Sequence, residues 1–217
     1  MTQAQIKAYV SGAGITLSLT FVAILFGMVL GLLLAFGRMS KSKTLQGITW
    51  TYIWVFRGTP MMLQLMIIYF GIPLISSALF GRPMGPERMT SAYVGLTLNT
   101  AAYLAEIFRA GILSIDKGQL EAGKALGMTN GQTMRKIIIP QTIRRIIPPF
   151  SNEFVMLLKD SSVVYILGIG DLTRTSRQFA AQGEVKFYFI AGAIYLVLTT
   201  IFTVLFDRLE KKYAKYE

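Results

Sequence analysis

Gly14–Gly37 reads GITLSLTFVAILFGMVLGLLLAFG, 24 residues with no charged side chain, closed by Arg38. A helix of that length covers about 36 Å, and a hydrocarbon layer measures about 30 Å. The apolar part of a secretory leader is only about 7–15 residues long and precedes a small-residue cleavage site. This stretch has neither property, so it is expected to persist as a transmembrane helix. Four more apolar runs follow at 60–80, 91–111, 148–168 and 186–206, each about 20 residues long. The expectation is an all-α membrane protein of five transmembrane helices, with residues 1–217 forming a single transmembrane domain.

Composition supports that class. Hydrophobic residues make up 53% of the chain, charged residues 15%, and mean hydropathy is +0.52, whereas soluble domains carry about 25% charge. The chain has no cysteine and no histidine. Disulfides, thiolate metal sites and the commonest general base are therefore excluded, and no metal ligand set is expected.

A net charge of +11 would suit nucleic acid, but its distribution points to membrane lipid instead. Fifteen of the 22 Lys and Arg residues fall on one side of the expected spans: Arg38, Lys41, Lys43, Arg57, Arg109, Lys117, Lys124, Arg135, Lys136, Arg144, Arg145, Arg208, Lys211, Lys212 and Lys215. The other side holds Lys7, Arg82, Arg88, Arg174, Arg177 and Lys186, and Lys159 lies within a span. The positive-inside rule then places the N-terminus outside and the C-terminus in the cytoplasm. Between the first two spans, Trp50, Tyr52 and Trp54 sit among basic residues, as a short interfacial helix would. Pro60, after Phe56-Arg57-Gly58-Thr59, is expected to break that helix.

The second cytoplasmic-side segment is different in kind. Residues 121–140 read EAGKALGMTNGQTMRKIIIP, a basic amphipathic insert between two apolar runs. Asp116 with Gln119 is read as a capping-box pattern opening a helix. Gly123 and Gly127 lie on one face of it, a sign of close approach, because an exposed helical glycine costs about 1 kcal/mol against alanine. Thr129-Asn130-Gly131 is read as a turn, and a second short helix, 132–138, is expected to end at Pro140. The whole of 116–140 then forms a knob projecting from the bilayer.

This insert resembles the E-A-A, three residues, Gly, nine residues, I-x-L-P motif of permease subunits of ATP-binding-cassette importers. Glu121, Ala122, Gly127, Ile137 and Pro140 fall in register, while Gly123 and Ile139 replace Ala and Leu. The stretches FRGTP, LTLNTAAYLAEIFRAGI and NEFVMLLKDSSVVYILGIGDLT are similar to the polar and basic amino-acid branch of that type I importer family. The resemblance implies a cytoplasmic coupling helix formed by Glu121, Ala122, Gly123, Gly127, Ile137 and Pro140. It also implies two partner ATPase subunits, a second permease copy or paralogue, an extracellular or periplasmic solute-binding protein near residues 168–184, and residence in the bacterial cytoplasmic (inner) membrane. ATP and magnesium would belong to the ATPase, since the chain has no G-x-x-x-x-G-K-[ST] and no expected catalytic residue.

Polar residues inside the spans mark candidate solute positions. Asn99, Tyr103 and Glu106 are spaced i, i+4, i+7, and Glu153, Met156 and Asp160 i, i+3, i+7, so each set shares a helix face. Counting from span centres puts Asn99 and Asp160 near the midplane, with Glu106 and Glu153 about 7 Å toward the cytoplasm. A carboxylate at that depth costs at least about 2.5–3.5 kcal/mol and normally faces protein or water. Lys159 is expected to pair with an acid on a neighbouring helix. Three acids against one lysine in these two spans favour a cationic amino acid such as arginine, lysine or histidine. A glutamine-type solute served by Asn99 is the alternative. A carrier acting alone would use the same acids as ion sites, but no inverted repeat is evident.

Overall fold

The computed structural model describes residues 1–181 and 183–214; Lys215, counted above among the cytoplasmic charges, lies outside the described residues. In chain order they form α1 (Gln3–Arg38), α2 (Lys43–Gly58), α3 (Met61–Met66), α4 (Ile72–Phe80), α5 (Arg88–Leu113), α6 (Gly118–Ala125), α7 (Asn130–Thr133), α8 (Ile139–Asp160), α9 (Leu172–Ala180) and α10 (Lys186–Ala214). Two π segments, Ile67–Gly71 and Met134–Ile138, join α3 to α4 and α7 to α8 without a loop. A 3-10 segment, Ser161–Leu167, extends α8. Among the described residues there is no strand.

α1 and α5 form the central pair. Small residues let their backbones approach: a Cβ added at Gly27 would stand 3.1 Å from the Thr100 methyl, and one at Gly31 would stand 3.0 Å from the Ala101 carbonyl oxygen. Gly27 and Gly31 face Ala101 and Ala105, small residues four apart on both helices, the spacing that permits close helix contact in lipid. Around this seam Leu19, Ala23, Leu65, Leu96, Phe154 and Leu158 close the core, and Phe154 meets Phe202 and Phe206 of α10 at ring separations of 4.7 and 5.3 Å. The outward face of α1 leaves Leu25, Phe26, Val29 and Leu33 more than half exposed, a face suited to lipid rather than water.

Among the described residues three helical stretches are long and apolar enough to cross a membrane: Gln3–Arg38, Met61–Phe80 and Lys186–Tyr213. The other two expected spans correspond to α5 and α8, at 26 and 22 residues. They are long enough, but Asn99, Glu106 and Arg109 interrupt α5, and Arg144, Arg145, Glu153, Lys159 and Asp160 interrupt α8.

Several boundaries differ from the sequence reading. α2 does not lie free along an interface. Thr49 fits against Gly37 of α1, Tyr52 Oη donates to the Leu98 carbonyl at 2.8 Å, and Asn99 Nδ2 donates to the Phe56 carbonyl at 3.2 Å. The break at Gly58–Pro60 therefore sits beside the middle of α5, where extended Thr59 and Pro60 separate α2 from α3. The fourth expected span, 148–168, is also displaced: its helix starts at Ile139, holds Pro148 and Pro149 in its interior, and leaves α geometry after Asp160. Pro140 does not end a helix. It stands at the first turn of α8, where the π segment before it already departs from i−4 pairing, so the missing N–H leaves no regular bond unmade.

Candidate functional site

Three elements bring charged residues to one cavity of about 560 Å³. The last turn of α2 supplies Arg57, α5 supplies Tyr103 and Glu106, and α8 supplies Arg145, Pro149 and Glu153. An adjoining cavity of about 440 Å³ shares Arg57, Tyr103 and Glu106 and adds Arg38, Trp50 and Trp54. Of the expected solute residues, Tyr103, Glu106 and Glu153 line this cavity.

The charges around the cavity are not equivalent. Glu106 is gripped by Arg109, whose Nη2 lies 2.7 Å from Oε2 and whose Nε reaches both oxygens at 3.1–3.2 Å. Arg38 Nε stands 3.9 Å away on the other side. Arg145 Nη1 donates to the Ser114 carbonyl at 2.6 Å, tying α8 to the end of α5. Arg57 lies over the Tyr103 ring at 5.3 Å from its centroid. Among the described residues neither Arg57 nor Glu153 has an ion-pair partner within 4.0 Å.

The remaining expected solute residues lie elsewhere. Asn99 is buried and bonds Gln64 Oε1 at 2.9 Å as well as the Phe56 carbonyl. Gln64 in turn donates to Phe56 O and Thr59 Oγ1. The two amides thus satisfy carbonyls left open where α2 breaks. Lys159 and Asp160 are exposed at the end of α8 and line neither cavity. The expected pairing of Lys159 with an acid is not found among the described residues, because its side chain points away from the bundle. Arg57 and Arg145 were outside the expected set; counting charges within two spans missed Arg57, which arrives from α2, and Arg145, which lies on α8 just before the expected span.

The knob is built by two linked helix ends. α6 closes in a Schellman arrangement, with Met128 N bonding Gly123 O at 3.0 Å and Gly127 N bonding Lys124 O at 2.9 Å. Gly127 takes φ +74, the left-handed value that this closure requires. Thr129 then caps α7 through a capping box with Gln132. The expected box at Asp116 is not formed: Asp116 Oδ1 accepts instead from Gly118 N at 2.6 Å, and α6 has no side-chain cap. The two glycines have different roles. Gly123 is buried beneath Thr133, while a Cβ on Gly127 would meet open space. Glu121, Ala122 and Pro140 are exposed and Ile137 is half-buried. Leu126, absent from the expected set, is 77% exposed at the tip.

A family model described as "Binding-protein-dependent transport system inner membrane component" matches residues 27–215. The arginine transport system permease protein ArtQ of Bacillus subtilis (strain 168) is 40% identical over 210 residues, covering 96% of this chain and 93% of its own length. The glutamine transport system permease protein GlnP of Escherichia coli (strain K12) is 34% identical over 209 residues, covering 95% of this chain and 93% of its own length. A crystal structure of an amino acid ABC transporter with histidines matches 95% of this chain and 94% of its own at 39% identity, with a TM-score of 0.86.

Proposed function

The chain belongs to the family of binding-protein-dependent transport system inner membrane components, and from that premise we propose that it imports a basic amino acid. It is the permease subunit of an amino-acid ABC importer and not an enzyme; a separate ATPase subunit hydrolyses ATP. The helices α1, α2 with α3 and α4, α5, α8 and α10 make five crossings, with the N-terminus outside and the C-terminus in the cytoplasm of a bacterial inner membrane. The segment 116–140 is the coupling knob, presenting Glu121 and Leu126 to the ATPase. Two permease copies, or this chain and a paralogue, enclose the pathway and engage two ATPases, and a solute-binding protein delivers the solute outside.

One observation carries the assignment of the pathway: Glu153, a carboxylate without an ion pair, lines a cavity large enough for a small solute. Arginine, lysine or histidine is the first choice, because the 40% identical relative is named as an arginine permease and the solved relative holds histidines. Glu106 is largely neutralised by Arg109, which leaves Glu153 as the acid open to a solute in this cavity. The similarity to a glutamine permease supports glutamine as the second reading.

The test is uptake by proteoliposomes holding this chain with its ATPase and binding protein. ATP-dependent arginine uptake, competed by lysine or histidine and not by glutamine, is the expected result. Glutamine uptake that basic amino acids leave unaffected would overturn the solute, and uptake without any ATPase would overturn the coupling.

A further inference from the structure

Four ionisable side chains line the 560 Å³ cavity: Arg57, Glu106, Arg145 and Glu153. Two of them are satisfied within the chain, Glu106 by the Arg109 guanidinium and Arg145 by the Ser114 carbonyl. The other two have neither a hydrogen bond nor an ion pair among the described residues. They reach it from different elements, Arg57 from the end of α2 and Glu153 from α8. One is a planar donor held over an aromatic ring; the other is a bare acceptor.

We propose that Arg57 and Glu153 read the amino-acid head of the solute, Arg57 taking the α-carboxylate and Glu153 the α-ammonium. Every α-amino acid carries both charges, so a pathway lined by acids alone would repel half of its cargo. An unpaired guanidinium gives two parallel donors to a carboxylate, and an unpaired carboxylate accepts from an ammonium. The break at Gly58–Pro60 aims Arg57 into the cavity: α2 stops one residue later, fixed by Asn99 and Gln64 on the Phe56 carbonyl. Stacking on Tyr103 limits the guanidinium's freedom before a solute arrives, which lowers the ordering cost on binding. Arg57 is then a specificity-determining residue for α-carboxylates, whatever side chain the solute bears. This rests on the reading of the chain as an amino-acid permease.

The test is equilibrium binding to the detergent-solubilised permease–ATPase complex with three probes: arginine, argininamide (no carboxylate) and 5-guanidinopentanoic acid (no α-ammonium). Arg57→Gln is expected to weaken arginine by roughly tenfold or more, the scale of a lost charge-assisted bond, and to leave argininamide within about twofold. Glu153→Gln should weaken arginine and leave 5-guanidinopentanoic acid nearly unchanged. Arg57→Lys should recover part of the loss, which a misfolded variant would not do. Equal loss of arginine and argininamide in Arg57→Gln would overturn the assignment. If the unmodified complex binds glutamine and not arginine, only the solute choice fails, and glutamine with its α-amide makes the same comparison.

Discussion

Thr133 occupies the space that a side chain at position 123 would need: a Cβ on Gly123 would stand 2.5 Å from the Thr133 hydroxyl oxygen and 2.7 Å from its methyl carbon. Thr133 is itself fully buried and bonds the Thr129 carbonyl at 3.1 Å, so it has no free direction in which to yield. Gly123→Val is expected to force α6 and α7 apart at about 1–3 kcal/mol, the usual cost of overpacking. Stimulation of the ATPase by the reconstituted importer should fall while the amount in the membrane stays constant. A fully coupled Gly123→Val would remove this contact from the requirements of the knob.

Glu121 and Leu126 offer a separate test of the same surface, because both are exposed and neither supports the fold. Glu121→Lys and Leu126→Asp should each reduce uptake several-fold with thermal stability shifted by no more than about 0.5 kcal/mol, as for ordinary surface changes. Pull-down of the ATPase by the variants supplies the direct readout. Retained ATPase binding with lost uptake would assign the two residues to motion and not to docking.

At the seam of α1 and α5, the Gly31 position touches the Ala101 carbonyl oxygen and Leu104 Cβ, each at 3.0 Å from an added Cβ. Backbone oxygen cannot swing aside. Gly31→Val should therefore destabilise the bundle by about 1–3 kcal/mol, seen as a lower melting temperature in detergent, whereas Gly14→Val, with nothing within 4 Å, should leave it near the parent value.

Asp171 caps α9 by accepting from Thr173 N and Arg174 N, both at 3.0 Å, and is fully buried. Burial pushes its carboxyl above the ordinary range, although the two backbone N–H bonds pull the other way. The native state then holds this proton at higher pH than the unfolded chain. Its contribution to stability is full below the ordinary value of about 3.9 and diminishes as pH rises through the raised native value. Asp171→Asn should keep the cap and flatten that slope in melting temperature against pH. Asp171→Ala should lose the cap as well, at about 0.5–2 kcal/mol. Parallel curves for wild type and Asp171→Asn would show that the carboxyl titrates as a free one.

Much of this was legible in the sequence, for identifiable reasons. Helices longer than the bilayer announce themselves by apolar length alone, so α1 and α10 fell where expected. The knob was legible through its spacing, yet its two ends were misread. Thr129-x-x-Gln132 is as clear a capping box as Asp116-x-x-Gln119, but α6 starts one residue later than that box requires, and Asp116 turns to Gly118 N instead. The packing of α2 against α1 and α5 was hidden because Trp50 and Trp54 look interfacial, and the contacts that seat it, Thr49 on Gly37 and Tyr52 on Leu98, are long-range. The balance of charge around the cavity was equally invisible along one helix, since Arg57 reaches Tyr103 across 46 residues of sequence.

The π segment Met134–Ile138 joins α7 to α8 without an intervening loop. Such a segment holds one residue more than the α-helix it interrupts, and each residue turns a helix by about 100°. The wider turn absorbs that residue, so removing one there would restore regular pitch and leave Glu153 and the tip at Leu126 at nearly their present bearing to each other. Removing one from the regular part of α8 before Glu153 has no such slack and would turn Glu153 from its cavity by about 100°. The π segment is thus the one joint between the two surfaces that can lose a residue without turning either.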